Sequence, residues 1–187
     1  MRENVHFEWL APWYEKIFKP PPREEIERLL QLPTSGWLLD VGGGTGRVTS
    51  SLVAVARRVI VLDLSMGMLR QARLKPALLP VRAQAEFLPF QAHTFDRILM
   101  VDTFHHLADQ RRALEELLRI LAFGGVLMIE EPNYHHPLVK LIALFERVMG
   151  MNSHFVYGEN IESALRQMGY APEYRIDGAI IRIVVRT

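Results

Sequence analysis

The chain has 187 residues, 49% of them hydrophobic, and a formal net charge of +1; this suits one domain spanning residues 1–187 and supplies no strong field for nucleic acid, which is not expected as a partner. No cysteine occurs, which excludes disulfides, thiolate metal sites and cysteine nucleophiles. No apolar run approaches the ~18 residues of a membrane span, and the N-terminus lacks the basic-then-apolar order of a secretory signal, so a cytoplasmic protein without a transmembrane segment is expected.

The chain opens with an aromatic segment containing Phe7, Trp9, Trp13 and Tyr14, followed by the stiff connector Pro20-Pro21-Pro22. From Pro22 to Leu32 a helix is expected: proline stands at its start, acids fill the first turn, and Ile26, Leu29 and Leu30 make an apolar face. Strand-like runs recur at 37–41, 58–62, 79–83, 97–101 and 126–130, with helical stretches at 45–56, 66–73 and 109–121. Such alternation predicts parallel strands joined by crossover helices. Residues 138–151 read as a further helix, apolar on more than one face through Leu138, Leu141, Ile142, Leu144, Phe145, Val148 and Met149. The final runs, 173–176 and 179–186, flank Asp177-Gly178. That dipeptide favours a type I′ turn, so an antiparallel hairpin is expected to end the sheet.

The densest chemical signal lies at the end of the first strand. Leu38-Leu39-Asp40-Val41 runs into Gly42-Gly43-Gly44-Thr45-Gly46-Arg47, an apolar strand ending in an acid and then in glycines at alternate positions. Glycine takes positive φ and places no Cβ between main chain and ligand, so a small molecule can lie directly on the turn. The spacing is G-x-G-x-G and not the G-x-G-x-x-G of dinucleotide sites. Asp40 also disfavours a pyrophosphate, because a carboxylate opposes anion binding at a helix start. A cationic ligand without phosphate fits better. The second strand ends in Asp63, 21 residues beyond Gly42, the separation at which an acid reaches ribose hydroxyls.

Leu39-Asp40-Val41-Gly42-Gly43-Gly44-Thr45-Gly46, Asp63-Leu64-Ser65-Met66-Gly67-Met68-Leu69, Ala85-Glu86-Phe87-Leu88-Pro89-Phe90, Thr94-Phe95-Asp96, His105-His106-Leu107 and Leu121-Ala122-Phe123-Gly124-Gly125 together resemble the class I S-adenosylmethionine-dependent methyltransferases, within them the type 11 group around the ubiquinone and menaquinone methyltransferases. The resemblance implies an α/β, Rossmann-like fold, a seven-stranded mostly parallel sheet with a C-terminal antiparallel hairpin and helices on both faces. It implies S-adenosylmethionine as cofactor, with S-adenosylhomocysteine as product. The resemblance implies that the main chain around Gly42, Gly43, Gly44 and Gly46 faces the methionine part, that Asp40 approaches its ammonium side, often through water, and that Leu64 and Met68 flank the adenine. Gln84, with Ala85 beside it, stands where an acid commonly accepts the adenine amino group, and its amide oxygen can accept the same bond. Val101 completes the cofactor set. Ala122-Phe123 replaces the lysine and proline that commonly precede the glycine pair, with only a structural consequence expected.

Acceptor chemistry points to His105 and His106 after the fourth strand, because neutral imidazole removes protons near pH 7. No Asn/Asp-Pro-Pro-Tyr/Phe stands there, which argues against the branch that methylates the amino group of adenine or glutamine. The resemblance makes residues 1–21 a lid, with Tyr14 toward the cofactor and Trp13 toward the acceptor. It makes 131–158 the acceptor side, with Tyr134 and His136 as contacts and the 138–151 helix as a wall or as a homodimer or partner surface. No metal is expected. The activity implied is methyl transfer to oxygen or carbon of a small-molecule acceptor; the alternative is a cofactor-binding regulatory or partner subunit.

Overall fold

The computed structural model describes residues 20–148 and 157–187. Helix α1, Arg23–Leu29, begins after Pro22 with Glu24 and Glu25 in its first turn and buries Ile26 and Leu29. The chain then builds β1 Thr34–Val41, β2 Ala56–Asp63, α2 Met66–Ala72, β3 Leu78–Arg82, β4 Phe95–Val101, α3 Gln110–Ile120, β5 Leu121–Pro132, α4 Pro137–Val148, α5 Gly158–Gln167, β6 Glu173–Asp177 and β7 Ile180–Arg186. The seven strands form one sheet in the order β3-β2-β1-β4-β5-β7-β6. The pairs among β1 to β5 are parallel, and β7 runs antiparallel to both β5 and β6.

Alternation along the central strands sorts the core into two layers. Leu39, Val41, Ile60, Leu62, Ile98 and Met100 pack with α3 and α5; Leu38, Val59, Val61, Leu99 and Val101 pack with α1 and α2. A strand buried on both faces must be apolar at consecutive positions, which is why these runs show no polar alternation.

Three local expectations change. No helix spans 45–56: turns lead to a 3-10 turn, Thr49–Leu52, before β2 starts at Ala56. The hydroxyls of this stretch bond elsewhere, Ser51 Oγ to the Val48 carbonyl at 2.8 Å and Thr49 Oγ1 to Asp40 Oδ2 at 2.9 Å, and such local bonds compete with the helix ladder. β5 begins at Leu121 and not near Val126, because Ala122 to Gly125 are accommodated as an irregularity: β4 pairs Phe95 with Leu121 and then Arg97 with Val126. The hairpin turn is Gly178-Ala179, since Asp177 pairs with Ile180. Gly178 has φ +56° while Ala179 is not among the positive-φ residues; glycine at the first turn position is the type II′ pattern, not I′.

Candidate cofactor and active site

The glycines after β1 serve different neighbours. A Cβ on Gly42 would stand 2.1 Å from Thr103 Cγ2, one on Gly43 2.4 Å from Asp40 Oδ2, and one on Gly46 2.4 Å from Leu78 Cδ1. These three positions are small because the protein itself fills the space. Gly44 differs: with φ +56°, its Cβ would meet nothing nearer than Met68 Sδ at 3.8 Å and Asp63 Oδ2 at 3.9 Å. The unfilled side of Gly44 faces Met68 and Asp63, the last residue of β2, a candidate cradle for a ligand.

Asp63 ties this cradle together. Its Oδ2 accepts the Gly44 N–H at 2.9 Å and its Oδ1 the Ser65 N–H at 2.8 Å. Ser65, not Asp63, caps α2, its hydroxyl accepting the Met68 N–H at 3.2 Å. A carboxylate offers about four lone-pair directions, so ribose hydroxyls can be added to these bonds. Met68 is buried and Leu64 exposed, leaving Leu64 at the surface beside Asp63. Gln84 is partly buried in the turn after β3, its carbonyl accepting the Phe87 N–H at 3.2 Å, and Ala85 is buried. The next residue serves the fold: Glu86 Oε1 accepts the Ala108 N–H at 3.0 Å, just before α3.

Asp40 lies at 1% exposure beneath the loop. Burial pushes its carboxyl up to about 7, against the Thr49 hydroxyl bond and the Arg47 charge that lower it. Direct contact with a ligand on the far side of Gly43 is therefore blocked by the main chain.

After β4, whose last residue Val101 is buried, one carboxylate organises the loop. Glu131 Oε1 accepts the Thr103 and Phe104 N–H groups at 2.8 and 2.7 Å, and Oε2 accepts the His105 N–H at 3.3 Å. His105 Nδ1 stands 2.5 Å from Glu131 Oε2. With Glu131 as the acceptor, Nδ1 donates this bond, and the neutral tautomer that makes it carries its lone pair on Nε2. His105 is 4% exposed, and the His106 ring packs against it at 4.0 Å between centroids. Glu131 went unread in the sequence. The available signal was an acid at the carboxyl end of the fifth strand, the position that Asp40 and Asp63 hold on the first two.

In the segment expected to form the acceptor side, Tyr134 packs edge-to-face on Tyr157 at 5.4 Å and His135 on Tyr157 at 4.6 Å. His136 leaves its Nδ1 buried without a hydrogen-bond partner. Trp13, Tyr14, the rest of the expected lid up to residue 19, and residues 149–156 lie outside the described residues.

Residues 39–129 match the family described as a methyltransferase domain, Methyltransf_11. The chain is 36% identical over 125 residues to the ubiquinone/menaquinone biosynthesis C-methyltransferase of Syntrophotalea carbinolica, covering 62% of this chain and 51% of that protein. It is 37% identical over 113 residues to 2-methyl-6-phytyl-1,4-hydroquinone methyltransferase 2 of Oryza sativa, covering 58% and 32%. The match thus spans between about a third and a half of the length of these curated relatives. In fold it is similar to the methyltransferase solved in complex with the Haloferax volcanii Trm112 activator, with a TM-score of 0.79, 18% identity and coverage of 100% of this chain and 98% of that one. Other structures of this fold hold S-adenosylmethionine or S-adenosylhomocysteine. By fold and by these matches the chain is similar to the class I S-adenosylmethionine-dependent methyltransferases. Within that class it is similar to the ubiquinone and menaquinone group.

Proposed function

We propose that the protein transfers a methyl group from S-adenosylmethionine to oxygen or carbon of a small aromatic acceptor of the hydroquinone kind, with His105 as the general base. The cofactor supplies an electrophilic methyl on a good leaving group, so alignment and exclusion of water carry much of the rate. Asp63, the Gly44 main chain, Leu64, Met68 and Gln84 would hold the nucleoside. A phenolic hydroxyl gains nucleophilicity at oxygen and at the ring carbons beside it when its proton is removed, and His105 is suited to accept that proton. The observation that carries this reading is the His105–Glu131 pair at 2.5 Å, because it fixes the tautomer that leaves a basic nitrogen on the ring. The names of the quinone-type relatives support the acceptor class.

A screen of hydroquinones and phenols with labelled S-adenosylmethionine tests the acceptor, and His105→Ala tests the base. The variant is expected to lower the single-turnover rate roughly 10²- to 10⁴-fold with cofactor affinity little changed, and the wild-type rate to fall as pH drops through the imidazole titration. Full activity in both His105→Ala and His106→Ala removes the histidines from the mechanism.

A second reading, a partner protein or second copy covering the acceptor side, has its own observation. Leu138, Leu141 and Leu144 are exposed along α4, three positions spaced to share one helix face. The neighbour of similar fold was solved with an activator protein. Light scattering of the wild type and Leu141→Lys tests it: a wild-type dimer that the lysine dissociates supports a second copy.

A further inference from the structure

The carboxyl ends of the parallel strands lie in the order β3, β2, β1, β4, β5. From β1 the chain proceeds outward through β2 and β3, then returns to the other side of β1 with β4. The β1/β4 junction is therefore the topological switch point, where open α/β sheets take ligands. Asp63 ends β2 and Gln84 follows β3, both on one side of this junction. A nucleoside held there by its ribose and base directs its remaining end across the glycine loop toward β4.

An ion pair stands at that end. Arg47, on the loop after β1, reaches Asp102, just after β4, with Nη2 2.9 Å from Oδ2; the arginine side chain is 7% exposed and the aspartate 42%. Thr103 Oγ1 donates to the Gly42 carbonyl at 3.2 Å beside it. Asp102 holds φ +50°, a conformation costly for most residues and tolerated by aspartate. Its N–H is bonded to the Glu130 carbonyl at 3.0 Å. The backbone is thus fixed in the turn that carries this carboxylate. Asp40, by contrast, is sealed below Gly43.

We infer that Arg47 and Asp102 recognise the amino-acid end of S-adenosylmethionine, Arg47 taking its carboxylate and Asp102 its ammonium; this rests on the cofactor reading above. A guanidinium carries five N–H donors and a carboxylate several acceptor directions, so each partner can keep the mutual bond and take a second opposite charge. A zwitterion laid against this ion pair meets the complementary charge at both ends. Burial and the Glu131 carboxylate push the Asp102 carboxyl up while Arg47 pulls it down, and an ammonium beside it acts in the same sense as Arg47.

The test compares S-adenosylhomocysteine with 5′-methylthioadenosine, which lacks the amino-acid end, by calorimetry on wild type, Arg47→Gln, Asp102→Asn and Asp102→Gly. The glycine variant removes the carboxylate while adopting the positive φ without strain, which separates charge from turn geometry. Each substitution is expected to weaken S-adenosylhomocysteine at least about tenfold and to leave 5′-methylthioadenosine within about twofold, since charge-assisted bonds to the missing end are all that is lost. Equal losses for both nucleosides, or unchanged S-adenosylhomocysteine affinity in Asp102→Gly and Arg47→Gln, overturn the assignment. If the wild type binds neither nucleoside, the cofactor reading itself falls, and this assignment with it.

Discussion

Gly44 carries the sharpest residue-scale consequence, because its missing Cβ faces the space between Met68 and Asp63. Gly44→Ala costs roughly 1–2 kcal/mol for a side chain at positive φ and puts a methyl into the cradle. The expected result is a folded protein whose S-adenosylhomocysteine affinity drops at least about tenfold; normal binding in calorimetry would mean that no ligand approaches this backbone. Asp63→Ala should weaken binding at least as much, by about 1.4 kcal/mol or more. The structure adds a second reason, since the Gly44 N–H loses its acceptor. Asp40 governs pH dependence instead. With its carboxyl raised from 3.8 to about 7, the folded protein holds a proton that the unfolded chain has released across that window. Its contribution to stability therefore declines as pH rises from about 4 to 7, by roughly 2 kcal/mol over the upper two pH units. Denaturant melts of Asp40→Asn should lack this decline, and a wild-type profile no steeper than the variant's would refute it.

At the scale of elements, β5 shows how strand alternation assigns two adjacent acids to opposite faces. Glu131 gathers the loop after β4, whereas Glu130 Oε2 lies 2.6 Å from Arg182 Nε of β7, and Arg182 also reaches Glu25 of α1 at 3.1 Å. Glu131→Gln replaces one acceptor oxygen by a donor facing N–H groups, a conflict worth roughly 1–3 kcal/mol. Faster amide exchange at Thr103, Phe104 and His105 is the expected signature. Arg182→Met leaves Glu130 buried without this partner and should destabilise by about 3–5 kcal/mol, while Glu130→Leu with Arg182→Met should recover most of the loss in urea titrations. The turn after β1 belongs at this scale too: hydroxyls that bond to a local carbonyl and to Asp40 stand where a helix is expected over 45–56.

For the whole molecule, the sheet order brings residues far apart in sequence to one edge, so a ligand that spans loops after β1, β2 and β3 should tighten the fold as a unit. S-adenosylhomocysteine at a hundred times its dissociation constant should stabilise the protein by about 2.7 kcal/mol, read as a rise in melting temperature. NADH should produce none, given the glycine spacing; a rise with NADH alone would reverse the cofactor assignment. No helix among the described residues is long and apolar enough to cross a membrane.

The sequence by itself determined the order and type of the strands, the glycine turn, Asp63 at the end of β2 and the closing hairpin. These depend on local periodicity, turn chemistry and fixed spacing, which neighbouring residues encode. Only the tertiary structure decided that Gly42, Gly43 and Gly46 are small for Thr103, Asp40 and Leu78, while a Cβ on Gly44, of these four, would meet nothing nearer than 3.8 Å. It also decided that Asp40 is sealed away, that His105 is set by Glu131, and that Arg47 meets Asp102 across the switch point. Thr49 bonds Asp40 across 9 residues, Glu131 bonds His105 across 26 and Arg47 meets Asp102 across 55, and no local pattern specifies which acid a given strand order places beside which base.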